Sequence, residues 1–157
     1  MRIISDKKRA MRQSKMSIEE IPNPSSTEPL FSYLTINGHR LETPIEGVML
    51  KTTFQVGHRY LAFITDGILH EDTLWVYLID EHYQVIDKIW FFAMYSTGTL
   101  TDMQIQSHDT VTFSFFKDDR WQLTVHQNKK RQFPWVWKQF CAHREFSFFC
   151  YLTLKTH

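Results

Sequence analysis

The stretch TDGILHED, residues 65–72, sets three carboxylates and an imidazole close together: Asp66, His70, Glu71 and Asp72. Carboxylates beside a histidine can ligate a divalent metal or exchange protons with a substrate. The spacing fits neither use. It has no histidine pair at helical spacing, as in a zinc protease, and no alternating acids of a calcium loop. His58 and His82 lie nearby in sequence, but nothing in their spacing brings them to the loop. The reading is a solvated acidic loop between two strands, or one that touches a partner. Its length exceeds the usual hairpin connection, which favours contact.

Nucleophilic chemistry has less support. Cys141 and Cys150 are the only cysteines, and neither sits in a local signature around a nucleophile. There is no GxSxG turn, and five glycines leave little room for a phosphate-cradling loop. The chain is therefore expected to bind rather than catalyse, with no catalytic residue, no metal and no cofactor. Both thiols are expected to stay free, as in a reducing compartment.

A third constellation, NKKRQFPWVWKQF (128–140), interleaves bases with aromatics: Lys129, Lys130 and Arg131, then Trp135 and Trp137. Aromatic platforms beside Lys and Arg hold single-stranded nucleic acid. The same pattern arises when the tryptophans simply cap one end of a fold and the lysines are solvated.

Charge is sorted along the chain. Residues 17–109 carry thirteen acids against four bases, a net of −9, whereas the first sixteen residues and residues 110–157 each net +5. The whole-chain value of +1 hides this. A single-sign field attracts oppositely charged partners and speeds their encounter. It also opposes a phosphate-binding surface on the acidic part.

These residues need elements to hold them. At 157 residues, with 15% aromatics, one domain with a proper core is expected. Residues 1–29 are basic and proline-rich at their end, and read as a loosely ordered lead-in; residues 30–157 form the domain. Its segments are strand-like: LFSYLTI to Asn37-Gly38 and back through HRLET, then VMLKTTFQV, HRYLAFIT, TLWVYLID, QVIDKIWFF, TVTFSFF, RWQLTVHQ and EFSFFCYLTL. The expected class is all-β, an antiparallel sandwich or partly closed barrel of about eight to nine strands. One short helix is expected near 134–143, opening on Pro134. The longest apolar run, 89–94, is too short to span a bilayer, so a cytoplasmic protein without membrane contact is expected.

In TLWVYLID, Leu74, Val76 and Leu78 point to the core and Trp75, Tyr77 and Ile79 to the other face. That face meets either another layer of the chain or a partner. In the second case Glu71, Asp72, Asp80 and Glu81 would rim a Trp/Tyr centre, the anatomy of an interface hot spot. The segment YLAFITDGILHEDTLWVYLIDEHYQVID (60–87), with its strand, acidic loop and strand–turn–strand, resembles immunity proteins of bacterial polymorphic toxins, including contact-dependent growth inhibition systems. The resemblance implies stoichiometric occlusion of a cognate toxin, often a basic nuclease, with carboxylates mimicking phosphates. The expected contact residues are Asp66, His70, Glu71, Asp72, Trp75, Tyr77, Asp80 and Glu81. The alternative is a single-stranded nucleic-acid or RNA-binding domain using Lys129, Lys130, Arg131, Trp135 and Trp137.

Overall fold

The strands at the centre of the chain are apolar on both faces, and the fold supplies a layer for each face. The computed structural model describes residues 11–22, 30–132 and 141–156. Among these residues there are fourteen strands in three antiparallel sheets, and no helix or closed barrel. The first sheet runs β1 (Arg12–Gln13), β6 (Met49–Val56), β7 (Arg59–Thr65), β8 (Leu74–Ile79), β9 (Val85–Phe91), β13 (Ala142–Arg144). The second runs β10 (Thr101–Ile105), β11 (Thr110–Ser114), β12 (Trp121–Arg131), β14 (Phe149–Thr156). The third joins β2 (Met16–Glu20), β3 (Phe31–Ile36) and β4 (His39–Arg40), with β5 (Ile45–Glu46) also paired to β3.

Side chains alternate across a strand, so β7 and β8 feed two cores. Leu61, Phe63, Leu74, Val76 and Leu78 join Phe91, Val111, Phe113, Leu123 and Leu152 between the first and second sheets. Phe113 stands edge-on to both Phe63 and Phe91, with centroids 5.3 and 5.5 Å away, a preferred arrangement of aromatic quadrupoles. Tyr60, Ala62, Ile64, Tyr77 and Ile79 instead meet Leu34, Ile36, Leu41 and Ile45 of the third sheet and its turns.

Three expectations change. The lead-in is not loose where it is described. β1 pairs with β6 and β2 with β3, and Met11 is buried. The alternation of Met16 and Ile18, which pack on the third sheet's core, with Ser17 and Glu19 was the available signal. The helix near 134–143 is not formed in its described part, because Ala142–Arg144 extends the first sheet along β9, with Ala142 opposite Phe91. Pairing with an open strand edge outweighs local helical preference there; residues 134–140 lie outside the described residues. The last strand begins at Phe149 rather than at residue 145, so Phe146 and Phe148 belong to the turn before it and are exposed.

Gly47 closes the third sheet onto the first. Its φ is +95°, and a Cβ there would lie 2.5 Å from Ile64 Cγ2 and 3.1 Å from Trp75 Cδ1. Backbone strain and overpacking then add. Gly47→Ala is expected to lower stability on the order of 2–4 kcal/mol, read from the urea unfolding midpoint; a loss under about 0.5 kcal/mol, the scale of an ordinary surface change, would contradict this packing.

The first and second sheets are tied at one edge by a single carboxylate. Asp87, at a bulge in β9, accepts hydrogen bonds on Oδ2 from the amides of Tyr151 and Leu152, both at 2.8 Å. On Oδ1 it accepts from Arg144 Nη2 at 2.5 Å and from the Lys88 amide at 2.9 Å. Arg144 Nη1 in turn donates to the Leu152 carbonyl at 3.1 Å.

Candidate functional site

The loop between β7 and β8 is built from its own carboxylates. Asp72 Oδ1 accepts from the amides of Asp66 and Gly67, each at 3.0 Å, which closes residues 66–72 into a ring. Gly67 holds φ +70°, a left-handed conformation that favours glycine, and lies against the Met49 side chain, which would have to move to admit a Cβ. Asp66 Oδ1 accepts from Trp75 Nε1 at 3.0 Å and anchors the loop to β8. Glu71 Oε1 accepts the amide of Tyr95 at 3.3 Å, tying the loop to the segment after β9. Tyr95 holds φ +58°, an outlier for a bulky side chain.

This framework presents apolar side chains to solvent. Leu69 is 78% exposed, Tyr95 87% and Met94 67%, and Ile68 and Met49 are also exposed. Scattered surface apolar residues need no explanation, but five carried on this loop, on the segment bonded to it through Glu71 and on the Met49 that abuts Gly67 have the make-up of a contact surface. Sequence reasoning found the loop but missed these anchors. Ile68 and Leu69 interrupt an otherwise polar loop, which was the available signal; Met94 and Tyr95 reach it only through the fold.

The expected residues do not all meet. Asp66, His70, Glu71 and Asp72 lie at one end of β8, whereas Asp80 and Glu81 lie in the turn at the other end, where Asp80 Oδ1 caps the amides of His82 and Gln84. A strand of this length spans about 20 Å, so the four acids cannot rim one centre. Nor is there an exposed Trp/Tyr centre. Tyr77 is 1% exposed, its hydroxyl donating to Glu46 Oε2 at 2.8 Å beneath the third sheet. Burial, with the Glu46 charge beside it, pushes the phenol far above its ordinary value, so it stays neutral. Trp75 is half-buried and lies against Trp90, opposite it on β9, with centroids 5.7 Å apart.

Of the alternative set, Lys129, Lys130 and Arg131 are exposed at the end of β12, Lys129 within and the other two at the far side of a register shift in its pairing with β14. Trp135 and Trp137 lie outside the described residues. Near Lys129, the Tyr151 ring is covered by the chain's own cations, with the Arg59 guanidinium 4.5 Å and Lys129 Nζ 6.0 Å from its centroid.

Among the described residues no group of three or more His, Cys, Asp or Glu side chains converges to hold a metal ion, and no helix is long and apolar enough to cross a membrane. Cys141 and Cys150 are free, and burial pushes both thiols above their ordinary value, which keeps them in the unreactive protonated form. No family model matches the chain, and neither a curated protein nor a solved structure does.

Burial also raises the Asp66 carboxyl above its ordinary value, against the opposing pull of the Trp75 hydrogen bond. An acid raised in the folded state binds more protons there than in the unfolded chain, so stability falls as pH rises through the window between the two values. Asp66→Asn keeps an acceptor for Trp75 and removes the buried charge. The variant is expected to be at least as stable as the parent at neutral pH. Its advantage should fade towards pH 4, about where the unfolded carboxyl takes up its proton. Urea midpoints across that range check this; a parent more stable than the variant at pH 7 would contradict it.

Proposed function

We propose that this is a protein-binding domain that neutralises a cognate bacterial toxin by occluding it, an immunity protein acting in the cytoplasm without chemistry of its own. One observation carries the reading: the 66–72 loop is ordered by Asp72 and Glu71 and offers exposed Leu69, Ile68, Met94 and Tyr95 within an acidic rim. A sandwich of sheets fixes both connecting segments at one end of β8, so the surface is preformed and little ordering entropy opposes docking. Asp66 supports the same reading. Its carboxyl is raised by burial, and pairing with a partner's cation would offset that burial.

The partner is a basic domain, nuclease-type toxins being the class expected from the net of −9 over residues 17–109. Carboxylates at the rim would stand in for phosphates and speed encounter, while the apolar centre holds the complex. The test is titration calorimetry of the intact protein against the toxin domain encoded beside it, with a gel shift on single-stranded RNA run in parallel. One-to-one binding that abolishes toxin activity is expected. Binding to RNA without binding to the toxin domain would overturn the reading in favour of the Lys129–Lys130–Arg131 surface.

A further inference from the structure

A second feature lies on the outer face of the first sheet, where the third sheet stops short of covering it. A cleft of about 520 Å³ opens between residues 41–46, the first half of β9 and the turn that leads from β13 to β14. That volume is in the range of ligand pockets. Its floor is polar and ordered. The Glu46 carboxylate is fixed by the Tyr77 hydroxyl at 2.8 Å, and Lys88 Nζ lies 3.5 Å from both Glu46 oxygens and 3.2 Å from Glu145 Oε1.

The charges do not balance. Glu42, Glu46, Asp87 and Glu145 line the cleft against Lys88 and Arg144. Asp87 and Arg144 are committed to each other and to the backbone of β14. This leaves three carboxylates facing one ammonium, and that ammonium also lies over the rings of Trp75 and Trp90, 5.7 and 5.5 Å from their centroids. The rim adds phenyl rings. Phe146 is 77% exposed, with Phe148 edge-on to it at 5.5 Å and Phe149 also exposed.

The geometry points to this cleft as the seat of a guanidinium group, carried on an arginine side chain of a protein partner. The surplus negative charge selects a cation. Among cations, guanidinium is planar, meets carboxylates two bonds at a time and lies flat on aromatic rings, none of which an ammonium does as well. The mouth is open and lined by exposed rings, which suits a side chain on a polypeptide rather than an enclosed metabolite. The site lies towards the far end of β8 from the 66–72 loop, so either assignment can fail without the other.

The experiment is an NMR titration of the labelled protein with N-acetyl-arginine amide and with a capped peptide centred on arginine. N-acetyl-citrulline amide serves as the neutral isostere, N-acetyl-lysine amide as the ammonium control, and agmatine as a free guanidinium. Saturable shifts at the Lys88, Glu145 and Phe146 amides are expected with arginine, weaker ones with lysine and none with citrulline, the capped peptide binding more tightly than agmatine. Glu145→Gln and Phe146→Ser replace exposed side chains and are expected to leave the unfolding midpoint unchanged. Glu145→Gln should weaken arginine binding roughly tenfold, the scale of one charge-assisted hydrogen bond, with a smaller loss for Phe146→Ser. No saturable shift, equal response to citrulline, lysine as good as arginine, or an unaffected Glu145→Gln would each overturn the assignment. Agmatine binding more tightly than the peptide would overturn the protein source.

Discussion

Replacing Asp87 with alanine is expected to destabilise the fold by about 3–5 kcal/mol, the range for removing one partner of a buried ion pair. The carboxylate and its arginine are nearly inaccessible, at 10% and 6% side-chain exposure, so solvent screens the pair little. The loss would strand four groups at once, the Lys88 amide among them. The amides of Tyr151 and Leu152 would each lose an acceptor, and the Arg144 guanidinium would keep its charge in a buried place. Because those groups belong to β9, β13 and β14, the joint between the first and second sheets would open. Two comparisons separate this from ordinary truncation. Asp87→Asn keeps part of the acceptor capacity and should fall between parent and alanine. Adding Arg144→Met to Asp87→Ala removes the stranded charge and should recover part of the loss, since a missing pair is better tolerated than half a pair. Urea unfolding at pH 7 reads all four proteins. If the alanine variant stays within about 1 kcal/mol of the parent, an ordinary effect for a point change, or if the double variant is worse than the single, the carboxylate is not the joint.

Asp87 also marks what could and could not be read from the chain. Strand alternation was legible wherever one face is polar: Val111, Phe113, Trp121, Leu123 and Val125 all point to the core between the first two sheets, as their spacing requires. β7 and β8 carry large apolar groups on both faces. Such a run says that both faces are covered but not by what, and so Trp75 and Tyr77 were open to an interface reading until the third sheet took Tyr77. Two-residue strands such as β1 and β5 have no period to read and exist because an open edge lies beside them. The candidate site divides in the same way. Asp66, Glu71 and Asp72 were visible as local chemistry, whereas Tyr95 joins them through one amide hydrogen bond from 24 residues away. Asp80 and Glu81, close to them in sequence, are carried to the other end of the strand.

The corrected site moves the expected energetics from carboxylates to apolar anchors. Leu69→Ser and Tyr95→Ala are each expected to weaken binding to the proposed toxin partner by about 2–4 kcal/mol, the scale of a hot spot, or roughly 30- to 1,000-fold in Kd. Both side chains are largely solvated in the free protein, so the unfolding midpoint should move by no more than about 0.5 kcal/mol. A loss of binding without a loss of stability would then belong to the interface. Charge reversal at Glu71 should act differently from both. Its carboxylate is at the rim and also holds the Tyr95 amide, so the expected result is slower association, a weaker salt dependence and some loss of the preformed shape. Asp72→Ala should mimic a floppy loop, leaving two amides without their acceptor and raising the ordering cost of docking. Reversal at Asp80 or Glu81, at the far end of β8, should leave the association rate nearly unchanged, as should reversal of Lys129, Lys130 and Arg131. Stopped-flow association with calorimetry distinguishes these cases. Should Leu69→Ser and Tyr95→Ala bind like the parent while Asp80 and Glu81 reversals do not, the contact surface lies at the opposite end of the strand and the 66–72 loop is only a well-made turn.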